Sequence, residues 1–242
     1  MLIDSHCHLH DRQFFTEDAA KLAIKEARDA GVEKIVCIGT DPLDSMAACD
    51  FASQNDGVFW TYGVHPSEWK TWQKEGIKNT HKLVAIGEVG LDYHYGTDDR
   101  TEQIQLFNEM LQLAKDMNLP LSFHIREAFD DFFGVIANFP EVRGVVHSFT
   151  DSKKNLKKIL ETTDFYVGVN GLATYSTLPT PPLERILLET DAPFLAPMPY
   201  RGITNEPKYI KEIAEWLSAK LGQDFDTVAK ITTKNVTDLY QL

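Results

Sequence analysis

The chain has 242 residues and carries 36 acidic side chains against 24 Lys and Arg, a formal net charge of −12. Apolar residues make up 43% and charged residues 25%, enough to build a sizeable core, and this excludes a disordered or collagen-like chain. A strongly acidic surface repels polyanions at long range, which excludes a protein that grips duplex DNA through a broad basic face.

The length suits one α/β barrel, which runs roughly 200 to 250 residues as a single unit, and no linker divides the chain, so one domain over 1–242 is expected. The start, MLIDSHCHLHDRQ, lacks a basic segment followed by a long apolar one, and no apolar run of membrane-spanning length occurs. The three cysteines, Cys7, Cys37 and Cys49, make no CxxC pair and no disulfide framework. A cytoplasmic protein away from membranes is the expectation.

In chain order, short β-rich runs alternate with helical patterns. A strand over 2–8 leads to a helix over 17–30, and a strand over 34–39 to a helix over 42–54. A strand over 58–64 precedes a short polar helix near 69–78. The strand over 83–89 is followed by a helix over 100–118, where Ile104, Phe107, Met110, Leu111 and Ala114 recur at helical spacing. Strands over 121–125 and 144–149 lead to helices over 128–138 and 153–161. Between strands over 165–169 and 185–189, the segment NGLATYSTLPTPPL (170–183) holds three prolines and reads as a loop with at most a short turn of helix. Two closing helices follow, over 208–221 and 226–242. Eight nearly continuous apolar strands with intervening helices predict a parallel (β/α)8 TIM barrel, whose functional site lies at the C-terminal strand ends.

The polar residues at those ends are His6 and His8 on the first strand, His65 after the third, Glu88 on the fourth, His124 on the fifth, His147 on the sixth and Asp191 after the eighth. His6 and His8 are two apart, so both face the same side of the strand and Cys7 the other. A hydrogen-bonded pair of core histidines explains those two alone equally well. Two neutral imidazoles inside a barrel can also share a cation, and the accompanying residues favour that reading. Glu88 ends an apolar strand between glycines that let the backbone crowd the site, and a buried carboxylate requires a cationic partner. Glu189 and Asp191 alternate along the chain, and spacing does not choose between them as ligand or proton acceptor. His10, His81 and His94 are read as not liganding.

The series DSHCHL (4–9), GVHP (63–66), GEVGLD (87–92), HIR (124–126), VHSF (146–149), ETDAP (189–193) and RGITNEP (201–207) resembles, in order and over almost the whole chain, the motifs of the TatD family of metal-dependent hydrolases within the amidohydrolase superfamily. That resemblance implies a TIM barrel with two divalent metals and magnesium-dependent deoxyribonuclease activity among its members. It implies that His6, His8, Glu88 and Asp191 hold one metal and that Glu88, His124 and His147 hold the second, with Glu88 bridging; it also selects Asp191 over Glu189. Ser148 stands where the family usually carries a cysteine, and Ser67-Glu68-Trp69 is more acidic than usual.

The expected chemistry is two-metal hydrolysis at phosphorus on DNA ends or oligonucleotides, with Asp191 taking a proton from water. His65 is the leading substrate contact, then Arg201 in the Pro-rich loop after the last strand, then Arg126, which has local carboxylates in Glu127 and Asp130 to pair with. Trp60, Tyr62, Trp69, Trp72, Tyr93 and Tyr95 are candidates to stack bases. Mixed imidazole and carboxylate ligands accept Zn, Mn, Fe or Ni and suit Mg less well, whereas the resemblance implies magnesium, so Mg, Mn or Zn is expected. The same metals acting on a carbonyl carbon, as in a small-molecule amidohydrolase or esterase, form the alternative, and a metal-binding scaffold without catalysis a third. A monomer without an obligate protein partner is the simplest expectation.

Overall fold

A computed structural model describes residues 1–73, 77 and 80–242. Runs of Val, Ile, Leu and Ala pair edge to edge as β1 (Leu2–Cys7), β2 (Val32–Cys37), β3 (Val58–Tyr62), β4 (Leu83–Asp92), β5 (Leu121–Arg126), β6 (Gly144–Val146), β7 (Tyr166–Val169) and β8 (Ile186–Leu188). These eight strands, counted among the described residues, are parallel and follow one another in sequence order. Successive right-handed βα units generate that order.

The ring is drawn together between β8 and β1, where the Asp191 N–H donates to the His6 carbonyl at 2.9 Å and the His8 N–H donates to the Ala192 carbonyl at 2.7 Å. Asp4, fully buried, reinforces the seam. Its carboxylate accepts from the Thr190 N–H at 2.9 Å and from the Thr190 hydroxyl at 2.5 Å, and Ser5 Oγ donates to the Leu188 carbonyl at 2.9 Å.

The outer helices are α1 (Glu17–Asp29), α2 (Pro42–Gln54), α3 (Arg100–Met117), α4 (Phe129–Ile136), α5 (Lys153–Thr162), α6 (Ile210–Leu221) and α7 (Phe225–Tyr240). Thr16, Asp41, Ser152 and Asp224 cap α1, α2, α5 and α7 by accepting a first-turn N–H, which satisfies donors that a helix start leaves open. The apolar faces of α1 to α6 and the start of α7 pack on the strands in one cluster, and the rest of α7 packs in a second. α7 lies across the N-terminal strand ends: Asn235 donates to the Leu183 and Ile186 carbonyls, Thr233 to that of Met1, and Val236, Leu239 and Tyr240 pack with Ile3, Val145 and Leu187. The opposite, C-terminal end remains open.

Two strands gain a residue where the site is built. Asp4 pairs with Ile35 and Cys7 with Cys37, three steps on β1 against two on β2. Likewise Ile86 pairs with Leu121 and Val89 with Phe123, three steps on β4 against two on β5. Such a bulge reverses the alternation of side chains and re-aims those beyond it. Ile3 and His6, an odd number of residues apart, therefore both face inward, Ile3 in the lower core with Val84 and His6 against Glu88 further up.

Some expected elements are shorter. β6 ends at Val146, not 149, because Ser148 takes φ +46° and turns the chain away. The polar helix expected near 69–78 is a 3-10 turn at Pro66–Thr71, and residues 74–76, 78 and 79 of that span lie outside the described residues. The Pro-rich segment begins with a 3-10 turn at Gly171–Thr174. Among the described residues no helix is long and apolar enough to cross a membrane.

Asp4→Ala leaves the Thr190 N–H and hydroxyl without their acceptor in a dry seam. At about 1 to 3 kcal/mol per orphaned buried donor, unfolding free energy should fall by at least ~2 kcal/mol, read as a lower urea midpoint at unchanged slope. An unmoved midpoint would show that the seam does not depend on this side chain.

Candidate metal centre

The open end holds a cavity of about 620 Å³ lined by His8, His65, Glu88, His124, His147 and Asp191, with Arg126 and Phe194 also on its wall. Six of the seven histidines and carboxylates read from strand ends thus line one space, and the seventh, His6, lies directly beneath, 1% exposed. Close backbone approach makes this possible. A Cβ on Gly87 would fall 2.6 Å from Ser122 Cβ, and one on Gly90, at φ +149°, would fall 2.0 Å from the His124 carbonyl oxygen. Only glycine lets β4 and β5 press Glu88 against His124.

Glu88 is the centre of the arrangement, with one oxygen turned to each group of histidines. Its Oε2 stands 3.5 Å from His6 Nε2 and 4.0 Å from His8 Nε2, while Asp191 Oδ1 stands 3.7 and 3.5 Å from the same two nitrogens. Its Oε1 is 2.7 Å from His124 Nδ1, 3.2 Å from His147 Nε2 and 3.9 Å from His65 Nε2. The sets His6–His8–Asp191, His6–Glu88–His147 and His65–Glu88–His124 each offer ligand atoms within 4.8 Å of one another.

The partners behind these rings fix their orientation. A carbonyl only accepts, so the contact of His8 Nδ1 with the Ile38 carbonyl at 3.1 Å places the proton on Nδ1 and turns the Nε2 lone pair into the cavity. His147 Nδ1 faces Glu189 Oε1 at 3.5 Å, and its ring stacks on that of His6 with centroids 3.8 Å apart. His124 Nε2 meets Asp92 Oδ2 at 2.9 Å. Asp92 and Glu189 complete the site without having been assigned a role from sequence. Asp92 was discoverable, since it lies four residues beyond Glu88 on the same strand and hence on the same face. Glu189 is fully buried behind His147 and accepts from the Ser148 N–H at 2.5 Å, which gives each member of the Glu189/Asp191 alternation a separate position.

The donor set suits a cation. His6 Nε2 is buried without a hydrogen bond, although carboxylate oxygens surround it. Burial raises Glu88, yet His147, His124 and His6 outweigh it and hold the carboxyl well below its usual range. Burial lowers His124 and His8, but Asp92 and Glu88 raise the first, and Asp191 and Glu88 the second. With a carboxylate oxygen on each nitrogen, His124 is biased toward its protonated form, and a divalent cation displaces such a proton on binding.

The three substrate-contact candidates separate. His65 lines the cavity with its ring 4.3 Å from that of His124. Arg126 is exposed on the cavity wall and lies over Tyr95 at 5.6 Å, while Glu127 pairs with His94 instead. Arg201 lies over Tyr175 at 4.6 Å and does not line the cavity, so of the two arginines Arg126 is the one on the cavity wall. Of the aromatic candidates, Trp60 and Tyr62 are buried, Trp69 and Trp72 donate to Asp99 and Glu109, and Tyr93 donates to Asp131; only Tyr95 is fully open. His10 Nε2 donates to Asp44 Oδ1 at 2.9 Å.

Residues 3–241 match the family described as TatD related DNase. The uncharacterized metal-dependent hydrolase YabD of Bacillus subtilis (strain 168) is 33% identical over 258 residues that cover 100% of both chains. The 3'-5' ssDNA/RNA exonuclease TatD of Erwinia tasmaniensis is 32% identical, over 94% of this chain and 95% of that one. Among solved structures, YJJV, a TatD homologue from Escherichia coli k12, superposes with a TM-score of 0.86 at 26% identity, over 100% of this chain and 98% of that one.

Burial and the neighbouring His124 lower His65 to about 4. In metal-free protein its imidazole should therefore titrate by NMR near pH 4 and stay neutral at pH 7. Because the folded state binds fewer protons than the unfolded chain between that value and the usual 6.5, His65 costs stability as pH falls through this window. A midpoint at or above the usual histidine value would contradict the crowded, cation-facing environment.

Proposed function

The chain belongs to the TatD related DNase family, and from that premise we propose that it is a divalent-metal-dependent hydrolase that cleaves phosphodiester bonds at DNA ends or in short oligonucleotides. The observation that carries this reading is Glu88, whose two oxygens face two histidine groups across the floor of one open cavity. His6, His8, Glu88 and Asp191 would hold one cation, and Glu88, His124 and His147 a second. Bound there, divalent cations act as Lewis acids on a phosphoryl oxygen and ease the deprotonation of water. Mg, Mn and Zn are the candidates, with Zn or Mn matching the imidazole donors better.

The chain's own residues supply the rest. Burial raises Asp191, but His8, His147 and His6 outweigh it and keep the carboxyl below its usual value, so Asp191 Oδ1 is ionised and free to accept the proton of an attacking water. His65, neutral at physiological pH, contacts the phosphate as a hydrogen-bond partner and not as a charge. Arg126 supplies the fixed positive charge on the wall, in the forked geometry that suits a phosphate. Asp92 and Glu189 hold His124 and His147 in place through their outer nitrogens.

The net charge of −12 shapes substrate choice. A protein with that balance gains little from counterion release along a duplex, and bound divalent cations would confine positive charge to the cavity. A strand end presents its terminal phosphodiester to that cavity without laying a long polyanion over an acidic surface. The reading matches the name of the Erwinia relative, which is a 3'-5' ssDNA/RNA exonuclease.

Metal-reconstituted protein should cleave a 3′-labelled single-stranded oligonucleotide, with Mg, Mn and Zn tried in turn. Asp191→Asn should lower kcat by about 10² to 10⁴, with metal content measured on both proteins to separate loss of the base from loss of the metal. Full metal content with no cleavage of the oligonucleotide or of a simple phosphodiester would overturn the nuclease reading and direct the search to carbonyl substrates.

A further inference from the structure

Phe14 and Phe194 are large apolar side chains left 49% and 47% exposed, and they touch each other edge to face with centroids 5.4 Å apart. Scattered exposed apolar residues are ordinary, but these two form a contiguous surface at the mouth of the cavity. Phe194 lines it together with Leu195 and Leu172, and its ring centroid is 6.3 Å from that of His8.

Their exposure comes from firmly held backbone. Asn205, fully buried, donates through Nδ2 to the Thr190 carbonyl at 2.7 Å and to the Phe194 carbonyl at 2.6 Å, and the Phe194 N–H donates to the Asp191 carbonyl at 2.8 Å. On the other side the N–H groups of Phe14 and Phe15 donate to the Asp11 carbonyl at 3.2 and 2.9 Å. Phe15 buries its ring at 4% exposure, whereas Phe14 turns outward to meet Phe194. These bonds fix the backbone from which both rings project.

The cavity thus joins a floor of histidine and carboxylate to an apolar, aromatic wall. A nucleotide has the same division, an anionic phosphate linked through one sugar to a flat base. Every base offers a π-face, so an aromatic surface accepts bases without regard to sequence. We propose that Phe14 and Phe194 form a stacking subsite for the nucleobase adjoining the phosphate held at the metal centre. This rests on the phosphodiesterase reading and adds to it the position of the base. It places the base on the β1/β8 rim, across the cavity from Arg126 on β5.

The test compares binding of deoxyadenosine 5′-monophosphate and of 2-deoxyribose 5-phosphate, which lacks the base, to the metal-loaded protein by calorimetry. Wild type should bind the nucleotide roughly 5- to 100-fold more tightly, as base stacking on aromatic side chains permits. Phe194→Ala and Phe14→Ala should each reduce that preference while leaving the affinity for the sugar phosphate unchanged, and Phe194→Tyr should retain it. Equal affinities in wild type, or a preference that survives both alanine variants, would overturn the subsite. These outcomes are independent of cleavage: a protein that shows the Phe-dependent preference but cuts no phosphodiester keeps the subsite and loses the nuclease reading, and one that cuts but shows no preference does the reverse.

Discussion

A carboxylate buried in a barrel must be neutralised, and the upper half of this protein is arranged around that requirement at Glu88. At 4% exposure the group has little water to solvate it, and an unpaired charge in such a place is costly enough that it would take up a proton instead. Here His6 on β1, His124 on β5 and His147 just past β6 converge on its two oxygens. In the absence of a metal, protons shared with these rings meet the requirement. The same crowding of carboxylates and imidazoles suits a small, multiply charged cation.

The convergence is a property of the backbone before it is one of side chains. β1 and β4 each carry one extra residue relative to their neighbours, and the glycines at 87 and 90 let β4 lie against β5 without a Cβ in between. Asp4 then ties β1 to Thr190 just ahead of Asp191, so that the first and last strands, farthest apart in sequence, hold their ligand atoms in register. Behind the rings, the Ile38 carbonyl, Asp92 and Glu189 set which nitrogen points inward. These outer partners narrow the freedom of each imidazole, which is what allows a site to be formed before its cation arrives.

Much of this was legible in the sequence because strand periodicity and barrel topology together specify where inward-facing polar residues must meet. His6, His8, Glu88, His124, His147 and Asp191 were recognisable as polar ends of apolar runs, and the strand order followed from the βα alternation. The bulges were not legible, since an extra residue leaves no mark in an apolar pattern that is continuous on both faces. Alternation could not separate Glu189 from Asp191 because both serve, one behind His147 and the other beside His8. That Arg126 lines the cavity while Arg201 lies over Tyr175 was not legible, because loop paths depend on such contacts, which spacing does not encode. Phe14 and Phe194 lie 180 residues apart, and nothing local marks either as half of a pair.

One side chain, Glu88, would organise both proposed cation positions. Titrating metal-free wild type and Glu88→Gln with Mn or Zn against a chromogenic chelator tests it most directly, with circular dichroism to confirm that both are folded. Glutamine keeps the shape and removes the charge, so the account expects two equivalents taken up by wild type and both weakened in the variant, by at least the 10- to 100-fold or so that even outer partners of a metal are worth. Two equivalents bound by the folded variant at wild-type affinity would contradict it.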